Sequence, residues 1–196
     1  LGYGMLALDT AMACFIIGVS IKHKRVLPIL LTLAPAPLLL WFELTESHGI
    51  EVAHDIVIDR LAVIMILIIG IVGSLICVYA VGYMNQYHHH HHDIPDRQKL
   101  FFFTMFLFLS AMFGIVFADN LIWLYFFWEV TTFCSFIMIG YSGTEEAVTN
   151  AFRALWMNLL GGLAFAIAIV YCVTVLKIVE LDDLLNSGKS AAIMLP

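Results

Sequence analysis

Residues 100–141 read LFFFTMFLFLSAMFGIVFADNLIWLYFFWEVTTFCSFIMIGY, and Asp119 and Glu129 are the only formal charges in that stretch. Two apolar runs, Leu100 to Ala118 and Leu121 to Tyr141, are separated only by Asp119 and Asn120. A helix needs roughly 20 residues to cross about 30 Å of hydrocarbon, and each run has that length. So short a break leaves no room for a wandering loop, so the two helices form a tight hairpin. In lipid, every backbone N–H and C=O has to be satisfied internally, which a helix does along its own length. The stretch therefore predicts an all-α integral membrane protein.

Outward from the hairpin, the same reading gives about six transmembrane helices. Gly4 to Ser20 is the first run, closed by Lys22, Lys24 and Arg25. Val26 to Phe42 is the second. Its Pro28, Pro35 and Pro37 remove backbone donors and predict a kinked or locally unwound helix. An acidic stretch follows with Glu43, Glu46, Glu51, Asp55 and Asp59. Leu61 to Met84 is the third run, Asn85 to Lys99 a loop, and Ser142 to Asn150 the link to a sixth run, Ala151 to Ile178. Val179 to Lys189 reads as a polar connector or a short surface helix, and Ala191 to Pro196 as the start of another helix. The expected organisation is thus two N-terminal helices with an acidic outer loop over 1–60, four core helices over 61–178, and a connector over 179–196. A first residue of leucine and an interrupted last helix lead us to expect a piece of a longer chain.

Composition agrees. Of the 196 residues, 62% are hydrophobic and 12% charged, against about 25% charged in soluble domains. That leaves too little polar surface to face water. A net charge of −6 and the lack of a basic, aromatic stripe speak against a nucleic-acid partner. Cys14, Cys77, Cys134 and Cys172 lie far apart in apolar runs, with no CxxC pair to suggest a metal knuckle or a disulfide framework. The first run lacks a basic lead-in and a clear cleavage site, which disfavours a secretory signal.

Six crossings alternate the loops between two sides. One side then holds Lys22, Lys24, Arg25, Arg97, Lys99 and Arg153, and the other Arg60, Lys177 and Lys189. By the positive-inside rule, the N-terminus is expected outside and the His-rich loop in the cytoplasm.

Glu129 lies eight residues after Leu121, about 12 Å into its helix and close to the bilayer midplane. An ionised carboxylate there is costly, so such an acid is protonated, paired or beside water. Burial penalises its charged form and a nearby cation favours it. An acid balanced between the two can load and release a proton, which makes Glu129 the leading candidate for ion translocation. The alternative is a buried acid that only helps helices pack. Arg153, near the start of the sixth run, either snorkels to the interface or turns inward to set the proton affinity of Glu129. Asp9, one to two turns into the first helix, reads either as a residue of the ion pathway or, the favoured reading, as an acid close enough to the outer surface to be solvated, and Asp119 reads as a turn residue and helix cap. His88, His89, His90, His91 and His92 form an unbroken run that binds zinc or nickel without designed geometry, yet structural ligands usually come from spaced positions on rigid elements. A solvated loop is the expectation, with no dedicated metal site. The tryptophans fit an aromatic belt. Asn158, Gly161 and Gly162 make a small, polar face suited to close packing.

The segment from Asp59 to Tyr171 resembles the antiporter-like membrane subunits of respiratory complex I (subunit 5, or L type), of Mrp antiporters and of energy-converting membrane-bound [NiFe] hydrogenases (Ech type). The resemblance rests on Asp59-Arg60-Leu61, Tyr79-Ala80-Val81-Gly82-Tyr83-Met84, Ala118-Asp119-Asn120-Leu121, Trp128-Glu129, Cys134-Ser135-Phe136, Ile139-Gly140-Tyr141 and Ala151-Phe152-Arg153-Ala154, in that order. It implies the N-terminal part of an antiporter-like helix bundle, with Glu129 at the family's proton-relay acid and Arg153 at the place of a basic residue, often lysine, on its polar axis. It also implies that the family's central lysine lies on a seventh helix, which Lys189 in the connector does not supply. The stretch from Asn158 to Gly162 lacks polar residues that some L-type subunits carry, which leans towards a hydrogenase-associated member. The implied function is a proton- or sodium-translocating subunit, non-catalytic itself, of a redox-driven oxidoreductase complex. Other membrane subunits and a peripheral redox arm are its implied partners. A NiFe centre, iron–sulfur clusters or flavin are expected only in those partners, with no cofactor in this chain. The alternative is an Mrp-type Na⁺/H⁺ antiporter subunit with no redox partner. Either reading places the chain in the cell's inner (cytoplasmic) membrane.

Overall fold

The computed structural model describes residues 2–38, 56–90 and 96–193. The elements are α1 (Gly2–Lys22), α2 (Val26–Leu33), α3 (Arg60–His90), α4 (Gln98–Phe117), α5 (Leu121–Ile139), α6 (Glu145–Tyr171) and α7 (Leu181–Ile193). A wide π turn, Cys172–Leu176, prolongs α6. Five helices, α1 and α3 to α6, are long and apolar enough to cross a membrane. No strand occurs among the described residues, only the isolated bridges Ile56 to Ala118 and Asn120 to Glu180.

The second run differs from the other five, and proline chemistry explains the difference. α2 stops at Leu33, where Ala34 N–H donates to the Leu30 carbonyl at 2.9 Å. Pro35 has no N–H to continue the ladder. Helical geometry resumes over 35–38 beyond the bend, and 39–42 lie outside the described residues, as do Glu43, Glu46, Glu51 and Asp55. Three boundaries also move, the first being the start of α6 at Glu145, six residues before the expected Ala151. α3 runs on through His90, six residues into the expected loop, and the sixth run ends in the π turn before Lys177, whose φ of 57° turns the chain.

α5 is the central helix, packed against α4, α6 and α1. α2 closes against α1 and α6, whereas α3 lies outermost on α4. Six of the buried residues of α6, Ala151, Leu155, Leu159, Gly162, Ala166 and Ile169, recur every three or four positions, as one buried helical face requires, and Phe152 widens that face at its start. Three apolar clusters form around α5. Leu121 and Tyr125 meet Ala166, Ile169, Val173 and Val179. Phe136 meets Ile16, Phe152, Leu155 and Leu159. Val130 and Cys134 meet Met12 and Ala111.

The hairpin between α4 and α5 is as tight as its sequence demands. Asn120 caps α5, its Oδ1 accepting from Ile122 N–H at 2.9 Å. Asp119 caps a different helix. Its Oδ1 accepts from Asp182 N–H at 3.0 Å and its carbonyl from Leu181 N–H at 2.7 Å, so it closes the start of α7. Val57 N–H donates to the Phe117 carbonyl at 3.1 Å and Leu121 N–H to the Val179 carbonyl at 3.0 Å. One end of the bundle is therefore a clasp of three segments that are far apart in sequence.

Candidate functional site between α1, α5 and α6

Glu129 stands near the middle of α5, the helix that contributes residues to all three apolar clusters. Four residues earlier on the same helix, Tyr125 is buried and its hydroxyl donates a hydrogen bond to the Glu129 carboxylate. Positions i and i+4 of a helix lie one above the other, so the pairing is built into the spacing. From α1, Asp9 acts electrostatically on both Glu129 and Tyr125. From α6, the buried Gly162 presents bare backbone to the carboxylate. A Cβ at that position would stand 2.8 Å from Glu129 Oε1 and 3.7 Å from Trp128 Nε1. The neighbouring Gly161 faces the Trp128 ring, 3.5 Å from where its Cβ would be.

Arg153 is not in this group. It is exposed and lines an open groove of about 500 Å³ with Glu145, Glu146, Thr149 and Asn150. Nine residues separate it from Gly162, which on a helix is about 13 Å along the axis and half a turn round. Its guanidinium therefore projects from the face opposite the one that meets Glu129.

The histidine run divides. His88 packs against the end of α5, where its Nε2 lies 3.2 Å from the Tyr141 hydroxyl and 3.8 Å from Asp96 Oδ1. Its Nδ1 lies 3.0 Å from the Met84 carbonyl. In the tautomer with Nδ1–H, the ring donates to Met84 and accepts from Tyr141. Burial holds the Tyr141 phenol above its ordinary pKa, so it stays a donor. His89 and His90 continue α3, and His91 and His92 lie outside the described residues. Among the described residues, no three His, Cys, Asp or Glu side chains are gathered to hold a metal ion. The four cysteines are unpaired.

The sequence singled out Glu129 and left a pathway role open for Asp9, but linked neither Tyr125 nor Asp9 to Glu129. Tyr125 carried a signal in its four-residue spacing. Asp9 carried none, because only the approach of α1 to α5 brings it near.

Two family models match this chain. Residues 41–95 match that of the N-terminus of chain 5 of NADH-ubiquinone oxidoreductase (complex I). Residues 118–195 match the transmembrane family of NADH:quinone oxidoreductase and Mrp antiporters. Among curated relatives, Na⁺/H⁺ antiporter subunit A1 of Staphylococcus aureus (strain bovine RF122 / ET3-1) is 34% identical over 111 residues, 56% of this chain and 13% of the relative. The subunit A1 of Staphylococcus haemolyticus (strain JCSC1435) matches to the same extent. This chain thus spans only about an eighth of the length of those relatives. The Glu129 helix and the α6 face against it both fall inside the second matched stretch. On these matches, the chain belongs to the antiporter-like family of membrane subunits that complex I chain 5 and the Mrp antiporters share.

Proposed function

We propose that this chain is part of an ion-translocating subunit of a multi-subunit Na⁺/H⁺ antiporter of the Mrp kind, and that Glu129 is its proton-carrying group. The observation that carries the proposal is a carboxylate held near the middle of the central helix, hydrogen-bonded to a buried tyrosine, with apolar clusters built on the same helix before and after it. What surrounds such a group decides whether it is held charged or neutral. Charged, it loses hydration that the Tyr125 hydroxyl only partly replaces. Neutral, it sits without penalty among apolar side chains. A small change in local charge or wetting then moves a proton on or off, and Asp9 is a charge placed to bias it. Other membrane subunits are its partners, as the family implies.

The redox-driven reading, a hydrogenase or NADH dehydrogenase membrane subunit, has the family descriptions on its side. The antiporter reading has those and the named relatives as well. Purification of the assembled complex separates them, because only the redox-driven form carries a peripheral arm with electron-transfer centres. The role of Arg153 is proposed more narrowly. Placed on the far face of α6, it would act on Glu129 only through intervening groups.

Glu129→Gln keeps the size of the side chain and removes the titratable proton. Sodium-driven proton movement in everted vesicles should fall by about a hundredfold or more, with the complex assembled to the normal level. Full-rate transport by that variant would refute the assignment.

A further inference from the structure

We infer that Gly162 is a positioning residue for Glu129: the missing side chain at 162 leaves the space in which the carboxylate lies against α6 while keeping its bond to Tyr125. The inference rests on the function proposed for Glu129 and goes beyond it, to what sets the place of the acid. Its ground is geometric. A Cβ on Gly162 would stand 2.8 Å from Glu129 Oε1, closer than real Cβ atoms come to a neighbour. At Gly161, one residue away, the nearest atom would be 3.5 Å off, an ordinary contact.

The atom in conflict also decides what gives way. Oε1 is the far end of a flexible side chain, so α5 and α6 need not move apart. The carboxylate swings instead, and the rotation pulls it off the Tyr125 hydroxyl. Trp128, whose Nε1 lies 3.7 Å from the same Cβ position, narrows the space on the other side. The groups facing the displaced acid are Tyr125 on its own helix and Asp9 on α1. Packing between helices explains a small residue at 162, but it does not explain why the nearest atom is the carboxylate oxygen rather than backbone.

The test is a size exchange in the full complex. Gly162→Ala should assemble, lose between about tenfold and a hundredfold of antiport rate, as displacements of about 1 Å do, and change the pH profile of what remains. Gly161→Ala should leave both unchanged. Glu129→Asp shortens the acid by one methylene, so the pair Gly162→Ala with Glu129→Asp should transport faster than Gly162→Ala alone. If Gly162→Ala fails to accumulate, recovery of accumulation in the double variant supports the inference, and lack of recovery overturns it. Wild-type rate and pH profile in Gly162→Ala, or a double variant no better than the product of the single losses, also overturns it. A second readout does not depend on transport. The infrared carboxyl band of Glu129, identified by its loss in Glu129→Gln, should shift in Gly162→Ala and stay in place in Gly161→Ala. Should Glu129→Gln pump at full rate, the proton role falls, and the infrared measurement still decides whether Gly162 places the acid.

Discussion

Asp119 shows how much a single side chain can do once the chain has folded. It is 5% exposed and caps α7, sixty-three residues further on. Burial raises its carboxyl above the ordinary value, the Asp182 N–H pulls the other way, and Glu180, Asp182 and Asp183 add repulsion. An acid whose folded pKa is raised binds its proton more tightly in the folded state, so its ionisation costs stability as pH climbs from the unfolded value through the folded one. We expect the unfolding midpoint in detergent to fall as pH rises above the ordinary aspartate range, with a shallower slope in Asp119→Asn. Asp119→Ala removes the cap as well and should cost about 0.5–2 kcal/mol, read as faster amide exchange at Leu181 and Asp182. An Asn variant with the wild-type slope would remove Asp119 as the source. The sequence identified this residue as a turn and cap, but Asn120 caps the helix that follows it, and the helix served by Asp119 was not legible. Local spacing names the residues that can cap; only the return of residues 179–182 names the helix that needs one.

At the scale of the element, close approach rather than apolarity limits what each helix tolerates. All the long helices are apolar, so pattern alone does not tell a lipid face from a buried one. Glycines mark the difference. A Cβ on Gly114 of α4 would stand 2.5 Å from Phe127 Cζ of α5, and that ring is stacked on Trp123 at 5.6 Å and leans on Phe126 at 5.5 Å. The ring cannot swing aside without disturbing both neighbours, so Gly114→Ala should destabilise the hairpin by about 1–3 kcal/mol. Gly82 of α3 has nothing within 4 Å of its Cβ position. Gly82→Ala should be neutral or slightly stabilising, since alanine favours a helix. Thermal midpoints of the two variants in one detergent check the contrast, and equal losses would contradict it. The broken second helix belongs here too. Its prolines announced the break, and the backbone bends at Ala34 directly before Pro35.

Across the whole molecule, the ends of the helices sort into two sets. The His23 ring lies tilted against Phe152 with centroids 5.5 Å apart, which puts the basic turn after α1 beside the start of α6. His88 and Tyr141 join the ends of α3 and α5. At the far end, residues 56–57, 118–121 and 179–182 are clasped together. The chain therefore leaves one end at Arg25 and stands at the other by Ile56, as a second crossing requires. Lys22, Lys24, Arg25, Arg97 and Lys99 share the first end, and the acidic Glu180, Asp182 and Asp183 share the second. We propose that the basic end faces the cytoplasm. With the native cysteines replaced, Lys24→Cys should react with an impermeant maleimide from the cytoplasmic side only, and Asp183→Cys from the outer side only. The opposite pattern would invert the proposed orientation.

The order of residues alone determined that the chain spans a membrane, where the five long helices begin and end to within about two turns, that one acid lies near the middle of its helix, and to which family it belongs. Those properties depend on run length, helical rise and local motif, which are written along the chain. What surrounds Glu129 was decided only by tertiary structure. The spacing offered Tyr125 as a partner, but Asp9 sits more than a hundred residues away and Gly162 more than thirty, and Arg153, the nearest cation in sequence on α6, faces the wrong way. Which side chains meet depends on how helices rotate against one another, and a rotation of a half turn exchanges a neighbour for a stranger without altering one letter of the pattern.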